Sequence, residues 1–128
     1  MFKLPSDFEK NDFVGKFLAE IGLGIGTISL NFRKASQLGP DSESFVTLHA
    51  DFSCCVVGAE QSCLASEPVT ASVLTAFLNA DVTDFTVDDR FAFRICFGQL
   101  GEVRGPQHPD GFESFAILIP GKAEIVGP

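Results

Sequence analysis

The stretch Val82-Thr83-Asp84-Phe85-Thr86-Val87-Asp88-Asp89-Arg90-Phe91-Ala92-Phe93-Arg94-Ile95-Cys96-Phe97 decides the fold class. Its second half alternates with period two, Phe91, Phe93, Ile95 and Phe97 on one side and Ala92, Arg94 and Cys96 on the other. Only an extended chain separates those sets, because successive side chains of a strand point to opposite faces. Val82 to Val87 is rich in β-branched residues, and Asp88-Asp89 between the halves is turn chemistry. The spacing predicts an antiparallel hairpin with a tight turn at Asp88-Asp89 and one phenylalanine-lined face.

Immediately upstream the period changes. Within Glu67 to Asn79, Val69, Val73 and Phe77 recur every fourth residue and are joined by Leu74 and Leu78. This stripe predicts one amphipathic helix over 68–78, capped by Ser66 or Glu67, with Pro68 in the first turn, where its missing N–H costs nothing. Asn79 suits the left-handed residue that ends a helix.

Farther upstream, Val46, Leu48, Ala50, Phe52 and Cys54 alternate with Thr47, His49, Asp51 and Ser53, which predicts one half-buried strand. Ile21, Leu23 and Ile25, then Ile28, Leu30 and Phe32 after Gly26-Thr27, read as a strand or a tight hairpin. Phe2 to Asp12 is a charged lead-in with a short helical turn around Ser6 to Lys10. Downstream, the Gly- and Pro-rich stretch Gly98 to Gly111 predicts a long loop, with a short strand at Glu102 to Arg104. Phe112 to Ile119 then forms a strand and Ala123 to Val126 an edge strand between Pro-Gly and Gly-Pro pairs.

These elements fit one domain of 128 residues, 1–12 as lead-in and 13–126 as core. The expected class is α+β: a sandwich-like antiparallel β core with one main helix packed on it. The aromatic content is 14 Phe with no Trp or Tyr, rings without a polar handle, so most are expected to fill the core. Val73, Phe77, Phe91, Phe93, Ile95, Phe115 and Ile117 are the expected buried set.

Charge is distributed unevenly. Ala35 to Asp89 holds nine acids and no base, whereas the rest of the chain holds eight acids and nine bases. A regional negative field attracts cationic partners and repels nucleic acid backbone and anionic lipid, so direct nucleic acid or membrane binding is not expected. No run reaches the roughly 18 apolar residues of a membrane helix. Met1-Phe2-Lys3-Leu4-Pro5 does not open a signal-peptide apolar region, and a cytoplasmic chain is expected.

Catalytic signatures are missing. Cys54, Cys55, Cys63 and Cys96 form no C-x-x-C and have no His at ligand spacing, so buried free thiols are expected and no metal or cofactor. His49, Asp51 and Ser53 are the residue types of a hydrolase triad, but same-face neighbours on a strand stand about 6.6 Å apart and no nucleophile elbow presents the serine. His108 falls in the Pro/Gly-rich loop, and Gly22-Leu23-Gly24-Ile25-Gly26 lies within apolar alternation rather than before a helix. The chain is expected not to be an enzyme.

One resemblance adds to these inferences. Phe13-Val14-Gly15-Lys16-Phe17-Leu18, Ile21-Gly22-Leu23-Gly24, Ile28-Ser29-Leu30-Asn31-Phe32, Val73-Leu74-Thr75-Ala76-Phe77-Leu78 and Phe112-Glu113-Ser114-Phe115-Ala116-Ile117 resemble a family of small bacterial domains found partly among the immunity proteins of contact-dependent growth inhibition, a polymorphic-toxin system. The likeness covers about residues 13–126. It implies a small cytosolic protein that binds a cognate toxin domain, often a basic nuclease, and it implies no catalytic residues. The acidic stretch agrees with such a partner, since carboxylates can stand where the nuclease would hold nucleic acid. The candidate toxin-binding residues are Asp41, Glu43, Asp51, Asp81, Asp84, Asp88, Asp89, Asp110 and Glu113. Two other readings remain open at this point: a housekeeping protein-interaction domain, and a small-molecule-binding α+β domain with a deep polar-lined pocket.

Overall fold

The computed structural model describes residues 9–24, 27–34, 44–48, 51–56, 59–64, 72–86, 91–106, 115–119, 122 and 125–127. They form an α+β fold that is mostly strand. Ten strands are β1 (Phe17–Gly24), β2 (Thr27–Arg33), β3 (Ser44–Leu48), β4 (Asp51–Val56), β5 (Ala59–Leu64), β6 (Asp84–Thr86), β7 (Phe91–Cys96), β8 (Gly101–Pro106), β9 (Phe115–Leu118) and β10 (Ile125–Gly127). Two five-stranded sheets result, in the orders β1-β2-β3-β9-β10 and β5-β4-β8-β7-β6, and every strand pair is antiparallel.

The β1/β2 hairpin closes its register at Gly24 opposite Thr27 and turns Ile28, Leu30 and Phe32 inward, as their alternation requires. A bulge between Leu18 and Glu20 adds one residue to β1. Leu18 and Ile21, three apart in sequence, thereby both reach the core side, opposite Phe32 and Leu30. β10 is an edge strand, as expected from its flanking Gly and Pro.

The hairpin of the quoted stretch exists, but its register corrects the tight turn. Phe85 stands opposite Ile95, and both are buried with Phe93 and Phe97. A two-residue turn at Asp88-Asp89 would set Phe85 opposite Ala92 and on the polar face, because a register slip of odd length exchanges the faces. Burial of the phenylalanines therefore selects a longer connection, whose residues 87–90 lie outside the described ones.

A second correction concerns Val46 to Cys54. The single alternating run is two strands: β3 ends at Leu48 in the first sheet and β4 begins at Asp51 in the second. An alternating pattern does not by itself mark where one strand ends and the next begins. Residues 98–106 also differ from a plain loop. β8 lies between β4 and β7, inside the second sheet rather than interrupting it. β5, from Ala59 to Leu64, is a strand that the periodicity did not mark.

Within the predicted helix, residues 72–77 are helical and the last three, Thr75–Phe77, are a 3-10 turn. Its three-residue period puts Leu74 and Phe77 together in the core and leaves Leu78 exposed and Val73 partly covered. Residues 68–71 lie outside the described ones, while Asn79 takes the expected left-handed conformation, with φ of 66°. In the lead-in, Lys10–Asp12 is a short 3-10 turn.

Buried side chains from both sheets, the helix and Phe13, which directly follows the lead-in, form one cluster. Six phenylalanines join it end to end. Phe93 neighbours Phe85 at 6.3 Å between ring centroids, Phe85 stacks on Phe13 at 4.6 Å, and Phe13 meets Phe32 edge-on at 5.5 Å. Phe32 continues to Phe97 at 6.5 Å, and Phe97 stacks on Phe77 at 4.7 Å. With no hydroxyl or indole N–H among them, these rings need no buried polar partner. Of the expected buried set, Phe77, Phe93, Ile95 and Ile117 are fully buried, and the side chains of Phe91 and Phe115 lie outside the described ones. Phe93→Ala should lower unfolding stability by about 3–5 kcal/mol, read from urea unfolding, because it removes a fully buried ring and leaves a cavity. A loss below about 1 kcal/mol would show that the ring is not part of a tight core.

Candidate functional site

Two of the proposed toxin-binding acids are fully described, and both lie where the sheets are stitched together. Asp81 is exposed and forms an isolated antiparallel bridge with Phe17 at the start of β1. Asp84 opens β6, opposite Cys96 of β7. Between them the Thr83 N–H donates to the Cys96 carbonyl at 2.8 Å, and the Thr83 hydroxyl accepts from the Gly98 N–H at 3.0 Å. Residues 81–84 therefore tie β1 of one sheet to β7 of the other and hold the two carboxylates on a backbone fixed from both sides.

The two acids differ electrostatically. Lys10 donates to Asp84 Oδ1 at 2.9 Å, and the Phe85 N–H donates to the same oxygen at 2.9 Å. Chiefly the Lys10 hydrogen bond holds the Asp84 carboxyl below its ordinary value; burial opposes it, and the Phe85 N–H and the charges of Lys10 and Arg94 reinforce it. The ion pair is open to solvent, which screens it, so it adds little to stability. Asp81 has no ion partner among the described residues.

Asp51 is the first residue of β4, opposite Leu64 of β5, and its side chain lies outside the described ones. Asp41, Glu43, Asp88, Asp89, Asp110 and Glu113 lie outside the described residues, as do His49 and His108. The structure thus brings Asp81 and Asp84 together. Asp51 and Ser53 both belong to β4.

Two charged clusters escaped the sequence argument. On the outer side of the second sheet, Arg94 donates to Glu102 through Nε at 2.6 Å and Nη2 at 3.3 Å, and Arg104 Nε approaches the same carboxylate at 3.3 Å. Arg94 and Arg104 stand directly opposite on β7 and β8, so Glu102 offsets the repulsion of two facing cations. Only the strand pairing reveals this, because Arg94 and Glu102 belong to different strands. Cys96, a free thiol beside them, is pushed above its ordinary value first by burial and then by Glu102, which favours the thiol over the thiolate.

The other cluster surrounds Lys16, which is 7% exposed. Lys122 donates to Asp12 at 2.7 Å. Burial lowers the Lys16 ammonium below its ordinary 10.5; Asp12 opposes that shift, and Lys34 and Lys122 reinforce it. Among the described residues no three His, Cys, Asp or Glu side chains gather as a metal site, and no helix is long and apolar enough to cross a membrane. Compared with known proteins, the chain matches no family model, no curated protein and no solved structure.

A lysine with a lowered folded-state value binds fewer protons folded than unfolded. Its contribution to stability therefore rises with pH from that folded value up to the ordinary 10.5. Relative to Lys16→Met, which does not titrate, the natural chain should gain unfolding free energy as pH is raised through that window, measured by urea unfolding. Parallel stability curves for the two chains would show that Lys16 keeps its ordinary value when folded.

Proposed function

We propose that this chain is a cytoplasmic immunity protein that binds a cognate, basic nuclease toxin domain and neutralises it by occlusion, with no catalysis of its own. The observation that carries the reading is the segregation of charge. Residues 35–89 hold nine acids and no base. The bases described in ion pairs are engaged by the scaffold: Lys122 with Asp12, Arg94 and Arg104 with Glu102, and Lys10 with Asp84. Of the nine acids, Asp84 is the one paired with a base among the described residues, and exposed Asp81 beside it supports an outward negative field. Both edges of the second sheet, β5 and β6, come from this base-free stretch. The resemblance of residues 13–126 to small immunity domains supplies the partner class, and complementarity between carboxylates and a basic active site gives both fast encounter and exclusion of nucleic acid.

Co-purification with the polypeptide encoded immediately upstream, followed by association kinetics, tests this. The natural chain should bind it and inhibit its nuclease activity, with an association rate that falls steeply between low salt and about 0.15 M, where charges more than about 8 Å apart are screened. Asp81→Lys combined with Asp84→Lys should slow association about tenfold at low salt and have a smaller effect at high salt. Failure to bind, or reversal of both charges with no change in rate or salt dependence, would overturn the proposal.

A further inference from the structure

β1 is an edge of the first sheet, and along its free side only the first half is covered among the described residues. There the Leu18 N–H donates to the Ala80 carbonyl at 3.1 Å, the Asn79 N–H to the Leu18 carbonyl at 2.8 Å and the Val82 N–H to the Lys16 carbonyl at 2.8 Å. Beyond Leu18, residues 20–24 pair with β2 alone among the described residues. An antiparallel ladder leaves every second N–H and C=O of such a segment facing outward. Edge strands are usually blunted by Lys, Pro, a bulge or short length. Residues 20–24 contain neither Lys nor Pro, and the bulge lies before them. Of the other edge strands, β6 and β10 are three residues long and β5 is six. Leu23, at 70% exposure, is the most exposed large hydrophobic residue described.

We propose that residues 20–24 form a dimer interface in which β1 of one copy pairs antiparallel with β1 of a second copy about a two-fold axis at Gly22. The segment is complementary to itself in this register. Leu23 falls opposite Ile21 of the second copy, on the side where its own neighbours Ile28 and Leu30 are buried, so each Leu23 extends the apolar row of the other copy. Glu20, the only charge in the segment, falls opposite a glycine, Gly24, so no like charges face each other. Length matches as well. The free side is bounded by residues 79–82 at one end and by the reversal of chain after Gly24 at the other, and a second copy offers a strand with the same bounds. A two-fold contact of this kind closes on itself and leaves no open edge at β1 for further growth.

Each copy carries a formal net charge of −8, so the copies repel at long range. Salt should therefore strengthen this dimer, the opposite of its effect on a contact with a basic partner. Sedimentation velocity of the full chain over a concentration series, at low and high salt, reads the association directly. A reversible dimer favoured by salt is expected, with amide exchange at residues 21–23 slowing as concentration rises. Leu23→Lys should weaken association about tenfold or more, although it lowers the net negative charge, because it removes apolar burial on both sides of the axis. Leu118→Lys, an equally conservative surface change at a 40%-exposed leucine on β9, should leave the dimer intact. If Leu23→Lys fails to fold, as judged by its melting transition, Leu23→Ala replaces it. A monomer at every concentration and salt, or a dimer insensitive to Leu23, or one lost equally with Leu118→Lys, would overturn the proposal.

Discussion

The Phe93 ring lies directly over the backbone of Gly105, and most of the second sheet depends on that contact. A Cβ at Gly105 would stand 2.6 Å from Phe93 Cζ and 2.8 Å from Cδ1, with Cε1 nearer still, so no side chain fits beneath the ring. Glycine in a strand ordinarily weakens it; here its bare backbone is the seat for a fully buried aromatic residue. The contact falls beside the bulge between Phe91 and Phe93, where an extra residue on β7 would otherwise let the strand slide against β8. Once Phe93 is seated, the pairs Arg94–Arg104, Ile95–Val103 and Cys96–Glu102 follow in order.

That register has consequences on both faces. Inward, it aligns Phe85, Phe93, Ile95 and Val103 for burial, and the line of rings through Phe13 carries the packing to Phe32 of the first sheet. Outward, it sets two arginines opposite each other and puts Glu102 within reach of both. The positive charge of the centre of the sheet is thus partly neutralised by a neighbour within the scaffold. Acids of the base-free stretch reach the flanks instead, where Asp84 begins β6. The same packing decision therefore shapes the core and the distribution of surface charge.

Periodicity revealed as much as a one-dimensional pattern can. It marked Phe93, Ile95 and Phe97 as one face, Leu74 and Phe77 as helical, and Ile28, Leu30 and Phe32 as core, because each set obeys a local repeat. It could not count the residues of the turn after Thr86, since the parity of that connection is set by Phe85 having to face Ile95 across the hairpin. It also ran β3 and β4 together, because alternation carries no mark of the change from one sheet to the other between Leu48 and Asp51. β5, Ala-Glu-Gln-Ser-Cys-Leu, has too few apolar residues to announce itself and is a strand by virtue of pairing with β4. As for the candidate site, the sequence singled out Asp81 and Asp84 as acids of an acidic stretch. Their meeting at the seam of the sheets, and the pairing of Asp84 with Lys10 across 74 positions, are tertiary facts with no local signature.

The dependence of the fold on the Phe93 seat is tested most directly by making Gly105→Ala in the natural chain and again in a Phe93→Ala background, and comparing the two losses of unfolding free energy. With the ring present, the added methyl should cost about 1–3 kcal/mol, as overpacking of a filled core does. With the ring removed, the same methyl enters open space and replaces a flexible glycine, so the cost should vanish or become a small gain. Equal costs in the two backgrounds would mean that Phe93 and Gly105 do not act on each other, and that the register of β7 against β8 is held by something else.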